Sequence, residues 1–198
     1  MFTILDFETT GLDYKEEQVI EIGAVKLDKF FKPVSQLNVF VKLAKGKELD
    51  PFITRLTGIT PEDLENGIET QYAALTMLQR FIGNDIVVAQ FASFDLSFLS
   101  PIMKPKMFIC TRSVSRMLDK DKKAGLKDLV PRYGASLENH HRAIDDALAT
   151  ADVFKAMMAR LPMNGYVLDH VLNVMVDSKE RPLKYVPDNA QTIYLEGN

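Results

Sequence analysis

Asp6 and Glu8 stand two residues apart in the apolar opening run Phe2-Thr3-Ile4-Leu5-Asp6-Phe7-Glu8. Successive side chains of a strand point to opposite faces, so these carboxylates share a face and could grip a hard cation together. An Asp-x-Glu pair alone carries little information. A second one, Asp63 and Glu65, sits in a proline-led helix start where acids have an ordinary electrostatic reason to be. Asp6 and Glu8 instead interrupt what should be the middle of a sheet, where unpaired charge is costly without a metal ion or hydrogen bonds. The plainer alternative is an exposed strand end. Asp95 follows Val87-Val88-Ala89-Gln90-Phe91-Ala92-Ser93-Phe94, near the start of a short helix just past a buried strand. Sites collect at the carboxyl ends of strands in open α/β sheets, although a first-turn acid also complements a helix dipole. His141 and Asp146 are five residues apart, an offset of about 140° on a helix, so they cannot share one face if both are helical. His141 is therefore expected in the loop entering the helix and Asp146 in its first turns. From there an imidazole with an ordinary pKa of about 6.5 could take a proton from water. His140, His141 and Asp145 equally fit ordinary surface roles.

The elements that must position these residues can be read from period and punctuation. The first strand ends at the turn Thr9-Thr10-Gly11, whose glycine permits close backbone approach. Val19 to Leu27 and Val34 to Leu43 predict two more strands, the latter by its alternation, and a three-stranded antiparallel meander is the simplest arrangement. After Pro51 helices take over. Thr60-Pro61-Glu62-Asp63 supplies an N-cap, a first-turn proline and first-turn acids. Ala74, Leu75, Leu78, Phe81 and Ile82 mark a helix ending near Gly83. Strands over 85–89 and 106–110 then alternate with a short helix over 95–99. A long helix spans Arg142 to Arg160, with Ile144, Ala147, Leu148, Ala151, Phe154 and Met158 as its apolar stripe. Pro162 closes it. Residues 163–198 are too apolar for a disordered tail and are expected to pack on the domain or on a partner.

Composition narrows the setting. The chain has 198 residues, 24 basic and 27 acidic side chains, one cysteine and 46% apolar residues. This suits one compact domain, residues 1–162, with an extension over 163–198. Cys110 has no partner for a disulfide, and a cysteine-based zinc site is disfavoured for the same reason. A reducing, cytoplasmic setting is the expectation. The acids among the first thirty residues argue against a signal peptide, and no apolar run approaches the roughly 18 residues of a membrane span. A net charge of −3 does not advertise nucleic-acid binding, but an average can hide a local basic surface.

Taken together, Asp6-Phe7-Glu8-Thr9-Thr10-Gly11, Ser93-Phe94-Asp95 and His141-Arg142-Ala143-Ile144-Asp145-Asp146-Ala147 resemble, in order and spacing, the three motifs of the DEDDh 3′-to-5′ exonucleases. That family includes the proofreading epsilon subunit of bacterial DNA polymerase III. Val19-Ile20-Glu21-Ile22-Gly23-Ala24, Leu56-Thr57-Gly58-Ile59-Thr60 and Thr111 are supporting matches, and the resemblance covers roughly residues 2 to 160. It implies an α/β, ribonuclease-H-like mixed sheet of about five strands, the first three an antiparallel meander, flanked by helices. It further implies Asp6, Glu8, Asp95 and Asp146 as ligands of two divalent ions, Mg²⁺ or Mn²⁺, and His141 as general base. Thr9, Thr10 and Gly11 would seat the terminal sugar. The substrate would be the 3′ end of single-stranded or frayed DNA, released as nucleoside 5′-monophosphates in proofreading or repair. RNA 3′ ends are the runner-up substrate. A non-catalytic nucleic-acid-binding subunit, docked on a DNA polymerase through residues 163–198, is the alternative outside enzymology. Lys104, Lys106, Lys120, Lys122, Lys123 and Lys127 are candidates to follow a phosphate backbone, and Phe52, Phe91 and Tyr133 fit base stacking or core. One departure stands out: Gln90-Phe91 replaces the His-Asn that the family usually carries before the second motif.

Overall fold

A computed structural model describes residues 1–195. Its opening strand, β1 (Phe2–Thr9), pairs antiparallel with β2 (Val19–Leu27), which pairs antiparallel with β3 (Pro33–Phe40). On the other side of β1, β4 (Ile86–Ala89) and then β5 (Phe108–Cys110) add in parallel, giving the order β3-β2-β1-β4-β5. This is the mixed five-stranded sheet with an antiparallel meander that the motifs imply. β3 stops short of the expected Leu43; Val41 N–H still donates to Ile20 O (2.9 Å), while Ile68 pairs along the outer edge of its end. Ile68 N–H donates to Phe40 O (2.8 Å) and Lys42 N–H donates to Ile68 O (3.0 Å). Gly67 allows this approach, since a Cβ there would press on the Phe40 carbonyl.

Among the described residues, seven helices flank the sheet: α1 (Pro51–Thr57), α2 (Pro61–Glu65), α3 (Gln71–Ile82), α4 (Ala92–Leu99), α5 (Thr111–Leu118), α6 (Leu126–Tyr133) and α7 (Ala143–Arg160). Thr60 is the expected N-cap, and with Asp63 it forms a reciprocal capping box. α4 starts three residues before the expected Asp95. Its N-cap is Phe91, which offers no side-chain cap, so no local signal marks the start. Period 2 along β1 sorts the two faces of the sheet. Leu5 and Phe7 pack with Leu75, Leu78 and Ile82 of α3 and with Phe98 and Leu99 of α4. Phe2 and Ile4 pack with Phe154 and Met157 of α7. Asp6 and Glu8 continue the α7 row, so the apolar stripe beneath α7 gives way to carboxylates at the carboxyl end of the strand.

After α7 the chain makes 3₁₀ turns over 162–164 and 168–170. It then forms a two-stranded parallel ribbon of β6 (Val174–Asp177) and β7 (Gln191–Tyr194). The Asn173 side chain accepts from Phe108 N–H (2.8 Å), Ser113 Oγ accepts from Val176 N–H (2.9 Å), and Met175 is buried in the main core. Residues 196–198 of the extension lie outside the described residues. Among the described residues, no helix is long and apolar enough to cross a membrane.

Candidate active site

The carboxyl ends of β1 and β4, the first turn of α4 and the entry to α7 border one cavity of about 780 Å³. Asp6, Glu8, Asp95, His141 and Asp146 all line it, as do Thr9, Thr10 and Gly11. Oxygens from Asp6, Glu8 and Asp146 all lie within 4.8 Å of one another. β1 supplies two of these side chains by its alternation, while Asp146 arrives because the start of α7 is clamped to β2. Glu21, fully buried on β2, is paired in register with Glu8. Its carboxylate accepts from Arg142 Nη2 (3.0 Å), Arg142 Nε (3.2 Å) and the Ala143 N–H (3.0 Å). Arg142, at the N-cap position, makes no side-chain cap, so a glutamate from the sheet caps α7 in its place. Two residues along β2, Gly23 pairs with Asp6, and a Cβ on it would collide with the backbone of Ala143 and Ile144. Glu21 and Gly23 therefore seat the helix that carries Asp146. In the sequence they show only as supporting matches, because an alternating strand gives no sign of what its face must receive.

Burial, reinforced by neighbouring charge, governs the ionisation of this cluster. Burial, then the charges of Asp95, Asp146, Glu8 and Glu21, hold Asp6 well above the usual carboxylate range. Burial, then Asp146, Glu21 and Asp95, push Glu8 up to about 8, against a partial pull downward from Arg142. Burial lifts Asp95 to about 7, although its own N–H, the Arg181 guanidinium and the Phe7 N–H favour the ionised form. Asp146 is raised by burial and drawn back by His140. Asp95 Oδ1 is buried and has no hydrogen-bond partner among the described residues. Clustered hard oxygen donors with one orphaned buried oxygen fit Mg²⁺ or Mn²⁺, which take carboxylate oxygens and keep positions for phosphate.

His141 precedes α7, as the helical offset requires, with its backbone in the left-handed region at φ 69°. Its ring stacks on His140, with centroids 3.9 Å apart. Burial and the neighbouring His140 and Lys127 lower its pKa, so its imidazole is neutral at pH 7. His140, read from sequence as an ordinary surface histidine, is drawn into the site. Its Nδ1 lies 3.0 and 3.1 Å from the two carboxylate oxygens of Asp146 and 3.0 Å from the His141 backbone nitrogen. Ring nitrogens of both histidines lie within 4.8 Å of Asp146.

Residues 3–154 match the exonuclease family RNase_T. This chain belongs to that exonuclease family. The DNA polymerase III PolC-type of Clostridium perfringens is 36% identical over 200 residues, covering 93% of this chain and 13% of the polymerase. That of Thermotoga petrophila is 37% identical over 160 residues, covering 77% and 11%. The chain thus spans only 13% and 11% of the length of these two relatives. Exonuclease X in complex with 5′ overhanging duplex DNA shares the fold at TM-score 0.69 and 23% identity, over 86% of this chain and 97% of that one. E. coli Exonuclease I in complex with a dT13 oligonucleotide does so at TM-score 0.71 and 18% identity, over 83% and 42%.

The Thr9-Thr10-Gly11 turn is internally braced. Thr9 Oγ1 donates to Gly11 O and Thr10 Oγ1 donates to Glu17 Oε2, both at 2.6 Å. Gly11 serves packing against the Glu17 side chain, which a Cβ would crowd at 2.9 Å. Of the six lysines considered for substrate reach, Lys127 lines the cavity. Lys104 and Lys106 precede β5 and so lie at the opposite end of the parallel strands. Lys104 pairs with Asp188 and Lys122 with Asp119. Phe52 is exposed on the cavity wall with Leu12 and Leu56, and Phe91 lines the cavity while largely buried. Tyr133 lies elsewhere, its ring under Arg160. Gln90, at the departure from the family pattern, donates to Ala124 O (2.8 Å) and so ties down the segment leading into α6, whose first turn bears Lys127.

Proposed function

We propose that the protein is a metal-dependent 3′-to-5′ exonuclease that hydrolyses the terminal phosphodiester of single-stranded or frayed DNA and releases nucleoside 5′-monophosphates. The observation that carries the reading is that four carboxylates from three separate sequence motifs, with a neutral imidazole, line one cavity at the carboxyl edge of the sheet. Asp6, Glu8 and Asp146 would hold one divalent ion and Asp95 would complete the set for two. When bound, Mg²⁺ or Mn²⁺ would offset the crowded charge and that of the phosphate and make the attacking water more acidic. His141, neutral and beside Asp146, takes the proton from that water. His140 orients Asp146 through its Nδ1. The P–O3′ bond breaks as the water oxygen bonds to phosphorus, leaving a strand shortened by one nucleotide with a free 3′ hydroxyl. The Thr9-Thr10-Gly11 backbone would seat the terminal sugar, and Leu12, Phe52 and Leu56 form an apolar wall for its base.

We assign this chemistry to residues 1–162 and treat residues 163–198 as an extension. Kinship to segments of DNA polymerase III favours DNA over RNA and a proofreading role beside a polymerase, in a cytoplasmic setting that suits the buried, free Cys110. A 5′-labelled oligonucleotide should shorten stepwise in Mg²⁺ or Mn²⁺ and stay intact in EDTA. Abrupt internal cuts would overturn the exonuclease assignment, and faster trimming of a matched RNA end would overturn the choice of DNA.

The two histidines separate by mutation. His141→Ala is expected to lower kcat about a hundredfold with little change in KM, the loss of a general base. His140→Ala is expected to cost about tenfold, the scale of a partner that orients a ligand. Single-turnover rates on one substrate decide it, and a larger loss in His140→Ala would reverse the assignment.

A further inference from the structure

Arg181 comes from the extension rather than from any of the three motifs, yet it lines the cavity. Arg181 and Lys127 are the cationic side chains that do so among the described residues. The Arg181 guanidinium lies over the Phe91 ring, 4.3 Å from its centroid. Phe91 thus offers an aromatic seat for a cation, with the Arg112 guanidinium also over the ring at 5.5 Å. The turn that presents Arg181 is built in. Arg181 N–H donates to Ser178 O (3.1 Å), and the Ser178 hydroxyl accepts from buried Arg112 Nη2 (3.1 Å). Just beyond it, Ser93 Oγ accepts the N–H groups of Lys184 and Tyr185 (both 3.0 Å) and donates to Tyr185 O (2.8 Å). Ser93 belongs to the second motif, two residues from Asp95, so the segment is locked onto the helix that carries a proposed ligand. Arg181 forms no salt bridge among the described residues, even though the cavity holds four carboxylates. A stacked guanidinium whose charge reaches Asp95 but which no carboxylate engages directly keeps its donor fork for an incoming anion.

We propose that Arg181, delivered by the C-terminal extension and seated on Phe91, grips a backbone phosphate of the nucleic-acid strand as it enters the cavity. The inference rests on the exonuclease reading and gives the extension a part in holding substrate. Arg181 is a substrate-positioning residue, and its contribution belongs to binding rather than to the chemical step.

The test is anisotropy of a fluorescein-labelled oligothymidylate in EDTA, where no cleavage occurs, over a range of salt concentrations, with the full chain. Arg181→Ala should weaken binding about tenfold, as loss of a charge-assisted contact does. It should also flatten the slope of log K against log salt by about 0.7, the value of one phosphate contact on a single strand. Arg181→Lys should restore the slope but only part of the affinity, because a lysine keeps the charge and loses the fork and the stacking. In Mg²⁺, KM should rise in Arg181→Ala while kcat stays within about twofold. An Arg181→Ala variant with unchanged affinity and slope overturns the proposal, and so does one that loses kcat alone. If the unmutated protein neither binds nor shortens the oligonucleotide, the exonuclease reading itself fails. If it does both and Arg181→Ala matches it, only the role of Arg181 is lost.

Discussion

Replacing Glu8 with glutamine is expected to lower turnover by about a thousandfold, the upper range for removing one preorganised electrostatic group, while raising the melting temperature in EDTA. The two effects share a cause. Burial, then the charges of Asp146, Glu21 and Asp95, push the Glu8 carboxyl from 4.5 to about 8 in the folded protein. The stabilising contribution of its protonated form is fully present below about pH 4.5 and is lost as pH rises through about 8. Above that range the folded chain carries an ionised carboxylate that its neighbours repel, and an amide of the same shape removes the repulsion. The gain should reach several degrees at about pH 8.5, since about 1 kcal/mol moves the midpoint by about 2–4 °C in a domain of this size. At about pH 5 the difference should nearly vanish. Mn²⁺ should reverse the ranking, because an ion that binds only the folded state stabilises by mass action and the neutral amide weakens that binding. Thermal melts at both pH values, with EDTA and with Mn²⁺, read all of this. A Glu8→Gln protein that melts at or below the unmutated one in EDTA at high pH would show that Glu8 is not part of a self-repelling cluster.

What the sequence makes legible follows from the range of the signals involved. The Asp-x-Glu pair on β1 is local, fixed by strand period, and the placement of His141 ahead of α7 follows from helical geometry. The meander is legible for the same reason, through alternation and turn residues. α4 begins at Ala92 without a cap signal, and α6 carries Pro131, which argues against a helix by local rules and is tolerated near its carboxyl end. Long-range dependence hides the rest. The carboxylate that caps α7 lies 122 positions away on β2, and the nearer of the two guanidinium groups over Phe91 comes from the extension. His140 looks like a surface residue until the fold lays Asp146 against it. Local patterns thus pick out the residues proposed to do chemistry, whereas the groups that position them appear only when distant elements meet.

Gly23→Ala tests that aiming directly, and it is expected to disable the site without touching a proposed ligand. A Cβ at residue 23 would lie well inside 3.0 Å of the carbonyl of Ala143 and the amide of Ile144, closer than real Cβ atoms come. Neither atom can swing aside, as both are backbone in the first turn of α7. The helix start must back away from β2 by roughly an ångström, stretching the Ala143 N–H bond to Glu21 and carrying Asp146 away from Asp6 and Glu8. Displacements of that size cost about a hundredfold in rate, and overpacking of this kind costs about 1–3 kcal/mol of stability. The expected protein is folded, melts several degrees lower, turns over about a hundredfold more slowly and gains less from Mn²⁺ in a thermal melt. Rates taken well below the melting temperature separate misplacement from unfolding. A variant with an unaltered rate and an unaltered response to Mn²⁺ would mean that the contact between β2 and α7 does not set the position of Asp146. A loss confined to stability would leave Gly23 a packing residue and nothing more. The combined loss, with Glu21 still in place, would show that the site depends on how closely one strand lets one helix approach.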